Sequence, residues 1–195
     1  VRQLLSLAVL FLAASCTPAA VNEAPTMTPF RPPATRSSER GPLATLEAEM
    51  AGYSFPKSAS DLEPLAAEVL VRANADRLEH GLPALHASTP LTRVASLRAQ
   101  DMVARGYFDH VDPRRGTIEA DRLVRPLGVV GEIAELLFTS TETLQGVPAA
   151  AVRAWLADDA NASTLLDSRL SYSGAGVMGD GTWWVVVLLM TETAP

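Results

Sequence analysis

Trp183-Trp184-Val185-Val186-Val187-Leu188-Leu189-Met190 is the stretch that decides the fold. Successive side chains of a strand point to opposite faces, and here both faces are apolar. Such a strand belongs in a sheet covered on both sides. Just before it, Gly179-Asp180-Gly181 is a hairpin signal. Before that, Gly174-Ala175-Gly176-Val177-Met178 supplies the partner strand. Residues 132–138 offer another strand.

Further upstream the period changes from two to 3.6. Ser60 and Glu63 are spaced as a capping box. Leu62, Leu65, Ala66, Val69, Leu70 and Ala73 then recur at helical spacing, and Gly81 ends that helix. Thr89-Pro90 opens a second helix, with Pro in the first turn. Its stripe is Leu91, Val94, Ala95, Ala99, Met102 and Val103, and Gly106 stops it. A short helix is expected over 118–125. Another opens at Val147-Pro148 and buries Ala151, Val152, Trp155 and Leu156. Helices first and strands last indicate an α+β sandwich. Asn74 and Arg77 are read as ties from the first helix to its neighbours. Arg98, beside an apolar stripe, is read as a snorkelling side chain. Trp183 and Trp184 are assigned to core packing.

The amino-terminal part has a different character. Leu4-Leu5-Ser6-Leu7-Ala8-Val9-Leu10-Phe11-Leu12 follows Arg2 and has the length of a signal-peptide core, too short to span a bilayer. It runs into Ala13-Ala14-Ser15-Cys16, which resembles a bacterial lipobox and implies lipidation at Cys16, the only cysteine. The expected organisation is a lipoprotein signal peptide over 1–15, a Pro-rich tether over 16–58 and a folded domain over 59–192. A short helix over 43–50 is a candidate within the tether. Beyond Cys16 no thiol remains for an intramolecular disulfide. The 195 residues carry a net charge of -6, which gives no electrostatic footprint for nucleic acid.

Gly106-Tyr107-Phe108-Asp109-His110-Val111-Asp112-Pro113-Arg114-Arg115-Gly116 places one of only three histidines between two aspartates, just after a helix end. Two readings compete. His110 with Glu132 supplies a base and its orienter for catalysis. Alternatively, Asp109 and Asp112 tie the loop by Asx-type hydrogen bonds, and His110 bridges to Glu132. One histidine with loosely spaced acids makes a poor metal site, so no metal and no cofactor are expected. No Gly-X-Ser-X-Gly nucleophile motif is present.

Four segments together carry a resemblance. They are Asn74-Ala75-Asp76-Arg77-Leu78-Glu79-His80-Gly81-Leu82-Pro83-Ala84-Leu85; Leu91-Thr92-Arg93-Val94-Ala95 through to Gly106-Tyr107-Phe108-Asp109-His110; Trp155 before Leu165-Leu166; and Gly174-Ala175-Gly176-Val177 before the aromatic-rich strand. The chain over about 62–191 resembles the CAP superfamily, also called SCP-like, in its bacterial branch. The resemblance implies a three-layer α-β-α sandwich with a mainly antiparallel central sheet. It also implies a cleft lined by two histidines and two acids. His110 matches the first histidine. Gly131-Glu132-Ile133-Ala134-Glu135 matches the family's Gly-Glu-Asn motif, with Glu132 as the natural acid and Glu135 as its competitor. Asp158, three places after Trp155, matches the second acid, and the remaining histidine position falls near Thr182. Asn161 stands where many bacterial members carry another histidine.

The expected function is non-enzymatic binding of a lipid, a wall fragment or a protein in the cell envelope. The expected protein is an extracytoplasmic monomer held to a membrane through Cys16. The alternative is an envelope hydrolase using His110 and Glu132.

Overall fold

A computed structural model describes residues 41–195. The signal peptide, Cys16 and the first part of the expected tether lie outside the described residues. Six helices and four strands follow in the order α1 (Pro42–Met50), α2 (Ala59–Glu79), β1 (His86–Ala87), α3 (Thr89–Arg105), α4 (Glu119–Val124), β2 (Ile133–Ser140), α5 (Val147–Ala157), α6 (Asp159–Leu165), β3 (Tyr172–Gly179) and β4 (Trp184–Thr191).

The sheet order is β1-β3-β4-β2. β4 pairs antiparallel with β2 on one side and with β3 on the other. The two-residue β1 adds a parallel edge to β3, so the sheet is mixed, with its antiparallel pairs dominant. Every residue of β4 is buried, as its two apolar faces require. The hairpin before it turns on Asp180, whose Oδ1 accepts from the Thr182 and Trp183 amides at 2.9 and 2.8 Å.

α3 lies on one face of the sheet with α1 and α4; α2, α5 and α6 lie on the other. The glycines of β3 set the α3 distance. A Cβ on Gly174 would strike the backbone of Leu91 and Thr92, and one on Gly176 that of Ala95 and Ser96. The intervening Ala175 and Val177 face the opposite layer and are buried. Trp155 on α5 is buried and donates its indole N–H to the Leu137 carbonyl at 2.9 Å. Trp184 is in the core, and Trp183 packs against it while its indole N–H reaches Thr139 Oγ1.

Three expectations change. The capping box of α2 is Ser58 with Asp61, not Ser60 with Glu63: Ser58 Oγ accepts from the Asp61 amide at 3.2 Å, and Asp61 accepts from the Ser58 amide at 3.0 Å. The same spacing occurs at both registers, and the earlier start adds Ala59 to the packed face. Residues 42–50, assigned to the tether, form α1, which buries Leu46 and Met50 against the core. Glu47 pairs with Arg93 of α3, and Glu49 with Arg115 at 2.8 Å. The packed domain therefore reaches back at least to Pro42 rather than to 59. Finally, Arg98 does not snorkel; it is fully buried.

The expected ties at α2 are present. Asn74 exchanges two hydrogen bonds with the Leu85 backbone, at 3.1 and 2.8 Å. The buried Arg77 donates to the carbonyls of Pro83, Leu165, Asp167 and Leu170 at 2.7–3.1 Å. One guanidinium thus satisfies four backbone acceptors and pins the segment after α6 to α2.

Candidate functional site

The site grows from the last two turns of α3. Residues three, four and seven apart share a helix face, so Arg98, Asp101 and Arg105 point the same way. Gly106 then takes the left-handed conformation at φ 65°, and the chain doubles back. Tyr107 thereby returns its hydroxyl to that face. It accepts from Arg98 Nη1 at 2.8 Å and donates to Asp101 Oδ2 at 2.5 Å. Arg105 closes an ion pair with the same Asp101 oxygen.

Arg98 looks toward the sheet. Its Nε donates to Glu135 Oε1 at 2.9 Å, and its Nη2 donates to the Asp109 carbonyl at 2.9 Å. Burial opposes the guanidinium charge, and Glu135 and Tyr107 more than offset that penalty. The Glu135 side chain is 4% exposed, and its Oε2 lies 2.8 Å from His110 Nδ1. His110 itself is 53% exposed. The hydrogen bond to Glu135 lifts the imidazole pKa above its ordinary value, against burial and the nearby Arg98. A carboxylate only accepts, so Nδ1 carries the proton toward Glu135. The outer nitrogen, Nε2, accepts when the ring is neutral and donates when it is charged.

The loop after His110 is bolted from inside. Asp112 is fully buried. It accepts from Arg105 at 3.2 and 2.9 Å, from Arg115 Nη1 at 2.6 Å and from the Arg114 amide at 2.7 Å. Burial pushes the Asp112 carboxyl upward, but these donors outweigh it and hold it far below the usual carboxylate range. Asp109 accepts from the Val111 amide at 2.9 Å, the Asx-type bond expected of it.

Of the residues expected at the site, the structure brings His110 together with Glu135, not with Glu132. Glu132 is 44% exposed and pairs with Arg169 at 2.7 Å. The reason is parity: Glu132 and Glu135 are three residues apart, and odd separations on an extended chain fall on opposite faces. β2 turns Glu135 toward the α3 layer. Asp158 is also displaced. It caps α6, accepting from the Asn161 amide at 2.9 Å, in the layer across the sheet from Glu135. Thr182 sits in the β3–β4 turn, hydrogen-bonded to Asp180. The adjacent end of β4, Trp184, pairs with Ser140, five residues and about 17 Å along the strand from Glu135.

Sequence reasoning missed Arg98, Asp101, Arg105 and Tyr107 as members of the site. The signal available was the i, i+3, i+7 recurrence of charge on a face that is otherwise apolar. Among the described residues, no group of three or more His, Cys, Asp or Glu is placed to hold a metal ion.

Comparison with known proteins bears on this geometry. The family model described as "CAP: Cysteine-rich secretory protein family" matches residues 70–190, from α2 to the end of β4 and including His110 and Glu135. An uncharacterized Bacillus subtilis protein, YkwD, is 27% identical over 144 residues, covering 72% of this chain and 52% of that protein. An uncharacterized B. subtilis membrane protein, YlbC, is 30% identical over 110 residues, covering 56% of this chain and 30% of that protein. The chain thus spans about half the length, or less, of these relatives. An outer surface protein of Borrelia burgdorferi superposes with a TM-score of 0.58 at 17% identity, over 67% of this chain and 94% of that one. An extracellular Bacillus anthracis protein containing an SCP domain gives 0.54 at 23% identity, over 77% of this chain and 50% of that one. With a family model covering most of the described fold and the same sandwich in solved structures, the chain belongs to the CAP, or cysteine-rich secretory protein, family.

Proposed function

We propose that this CAP-domain chain is an exported protein of the bacterial cell envelope, held at a membrane through lipidated Cys16, and that its domain binds a ligand at His110 without turning it over. The ligand is a lipid, a wall fragment or a protein. Export is supported by the apolar segment ending at Cys16 and by relatives described as extracellular or outer surface proteins.

The observation that carries the binding reading is the clamp on His110. Glu135 fixes Nδ1 at 2.8 Å, Arg98 fixes Glu135 at 2.9 Å, and the ring remains half exposed. A neutral ring offers an oriented acceptor to a hydroxyl or amide; a charged ring offers a donor to an anion. Acyl or phosphoryl transfer needs a nucleophile or held water and an oxyanion-stabilising donor set as well. Asp158 and Thr182, the further polar groups expected beside the histidine, stand in another layer and at the far end of β4.

The test is titration calorimetry of the purified protein with wall fragments and envelope lipids, beside assays of ester, peptide and wall hydrolysis. Binding that disappears in a folded His110→Ala variant, with no product formed, is the expected result. Product formed by the wild type and lost in His110→Ala would replace binding with hydrolysis.

A further inference from the structure

Residues 110–119 form a small hairpin. Glu119 N donates to the His110 carbonyl at 3.0 Å, Asp112 N to the Thr117 carbonyl at 2.9 Å, and Val111 faces Ile118 across the bridge between them. Directly opposed residues of an antiparallel pair project from the same face. Both are exposed, Val111 at 37% and Ile118 at 59%, and Phe108 just before them is exposed at 41%. Seven large apolar side chains are exposed among the described residues, and three belong to this stretch of eleven.

The tip is basic. Arg114 lies between the two apolar residues, is exposed, and makes no hydrogen bond or ion pair through its side chain among the described residues. Residues 105–125 carry five arginines against four acids, whereas the whole chain has a net charge of -6. Arg105, Arg115, Arg122 and Arg125 each pair with an acid, which leaves Arg114 as the unpaired arginine of this stretch among the described residues. The buried Asp112 hub holds the hairpin rigid through Arg105 and Arg115, so ordering it on contact costs little further entropy.

We propose that this hairpin is a membrane-contact element: Val111, Ile118 and Phe108 enter the interfacial region of an anionic bilayer, and Arg114 meets the lipid phosphates. Shallow insertion of apolar side chains flanked by cations is the general mode of interfacial binding. A protein partner fits less well. Three side chains fall far short of the roughly 800 Å² per side that a stable protein interface buries, whereas a tethered domain faces its membrane at high effective concentration. The contact goes beyond the ligand reading, rests on the proposed anchor at Cys16 for its choice of a membrane, and would place His110 at the lipid surface.

The test uses the full chain with Cys16→Ser, so that no acyl chain attaches, and a single new cysteine carrying an environment-sensitive fluorophore. The label sits at Ile118→Cys, or at Ala154→Cys on α5 in the opposite layer as a control. Both positions are exposed, and circular dichroism checks the fold. The probe is a vesicle of equal parts phosphatidylglycerol and phosphatidylcholine. The expected result is an emission rise at Ile118→Cys, none at Ala154→Cys, and suppression by salt. Each charge removed near an anionic surface weakens partitioning about fivefold, so Arg114→Glu should lower it by roughly 25-fold. His110→Ala should leave the response in place, which separates this proposal from the ligand reading. A silent Ile118 label on sedimenting vesicles, an equal response at both labels, or equal binding to pure phosphatidylcholine would overturn it. So would a response to envelope protein but none to protein-free vesicles.

Discussion

Glu135→Gln removes one charge from the centre of the site and keeps its shape. The Arg98 guanidinium, fully buried, then loses the anion 2.9 Å from its Nε. Removing one member of a buried ion pair costs about 3–5 kcal/mol, because the other is left uncompensated. Asp101 Oδ2 lies 3.9 Å from Arg98 Nη1 and retains part of the compensation, so we expect the lower end, about 3 kcal/mol. With a urea slope of about 1–3 kcal/mol/M, the unfolding midpoint should fall by about 1–3 M. His110 supplies an independent readout. Its folded pKa is raised above the ordinary value of about 6.5, chiefly by the Glu135 hydrogen bond. A raised pKa gives stability that is fully present below about pH 6.5 and is lost as pH rises through the folded pKa. In Glu135→Gln the ring should titrate lower, and that slope should shrink. Urea melts at several pH values and an NMR titration of the three histidines measure both effects. A midpoint within about 0.3 M of wild type, with His110 titrating unchanged, would refute the clamp.

Other outcomes follow from the same geometry. Asp112→Asn strips the carboxylate charge from Arg105 and Arg115 and should destabilise by about 3–5 kcal/mol in a urea melt. Because the Asp112 pKa is depressed, its contribution is present above about pH 4 and fades as pH falls, so the variant should show a weaker acid dependence than wild type. Gly174→Ala drives a Cβ into the α3 backbone and should cost at least about 1–3 kcal/mol, seen as a lowered Tm. Glu132→Gln breaks only an exposed pair with Arg169, should change stability by no more than about 1 kcal/mol, and should leave the His110 titration where it was.

Much of this fold can be read from local physics, because each element carries its own signal. β4 is apolar on both faces and must lie between layers. Gly106 must end α3. Trp155 must be buried. The site is harder because its parts are far apart in sequence. Arg98 on an apolar stripe looks like a stem laid along the surface; only Glu135, 37 residues later, makes it a buried ion. The choice between Glu132 and Glu135 depends on where β2 begins and on the parity that follows. A motif match at Gly131-Glu132 favours the acid that the strand turns away. α1 is legible as a candidate helix over 43–50, with Leu43, Leu46 and Met50 at helical spacing, but the prolines of the segment before it assign it to the tether rather than to the packed domain. Asp158 and Thr182 have side chains that near neighbours satisfy: Asp158 accepts from the Asn161 amide, and the Thr182 hydroxyl donates to Asp180 Oδ1.

The clamp can be observed at one nucleus. With the ring neutral, nitrogen-15 chemical shifts distinguish which imidazole nitrogen of His110 carries the proton. The clamp requires the proton on Nδ1, held by Glu135, with Nε2 bare toward solvent. A bare Nδ1 and a protonated Nε2 would mean that Glu135 does not hold the ring, and the binding chemistry assigned to its outer nitrogen would fall with it.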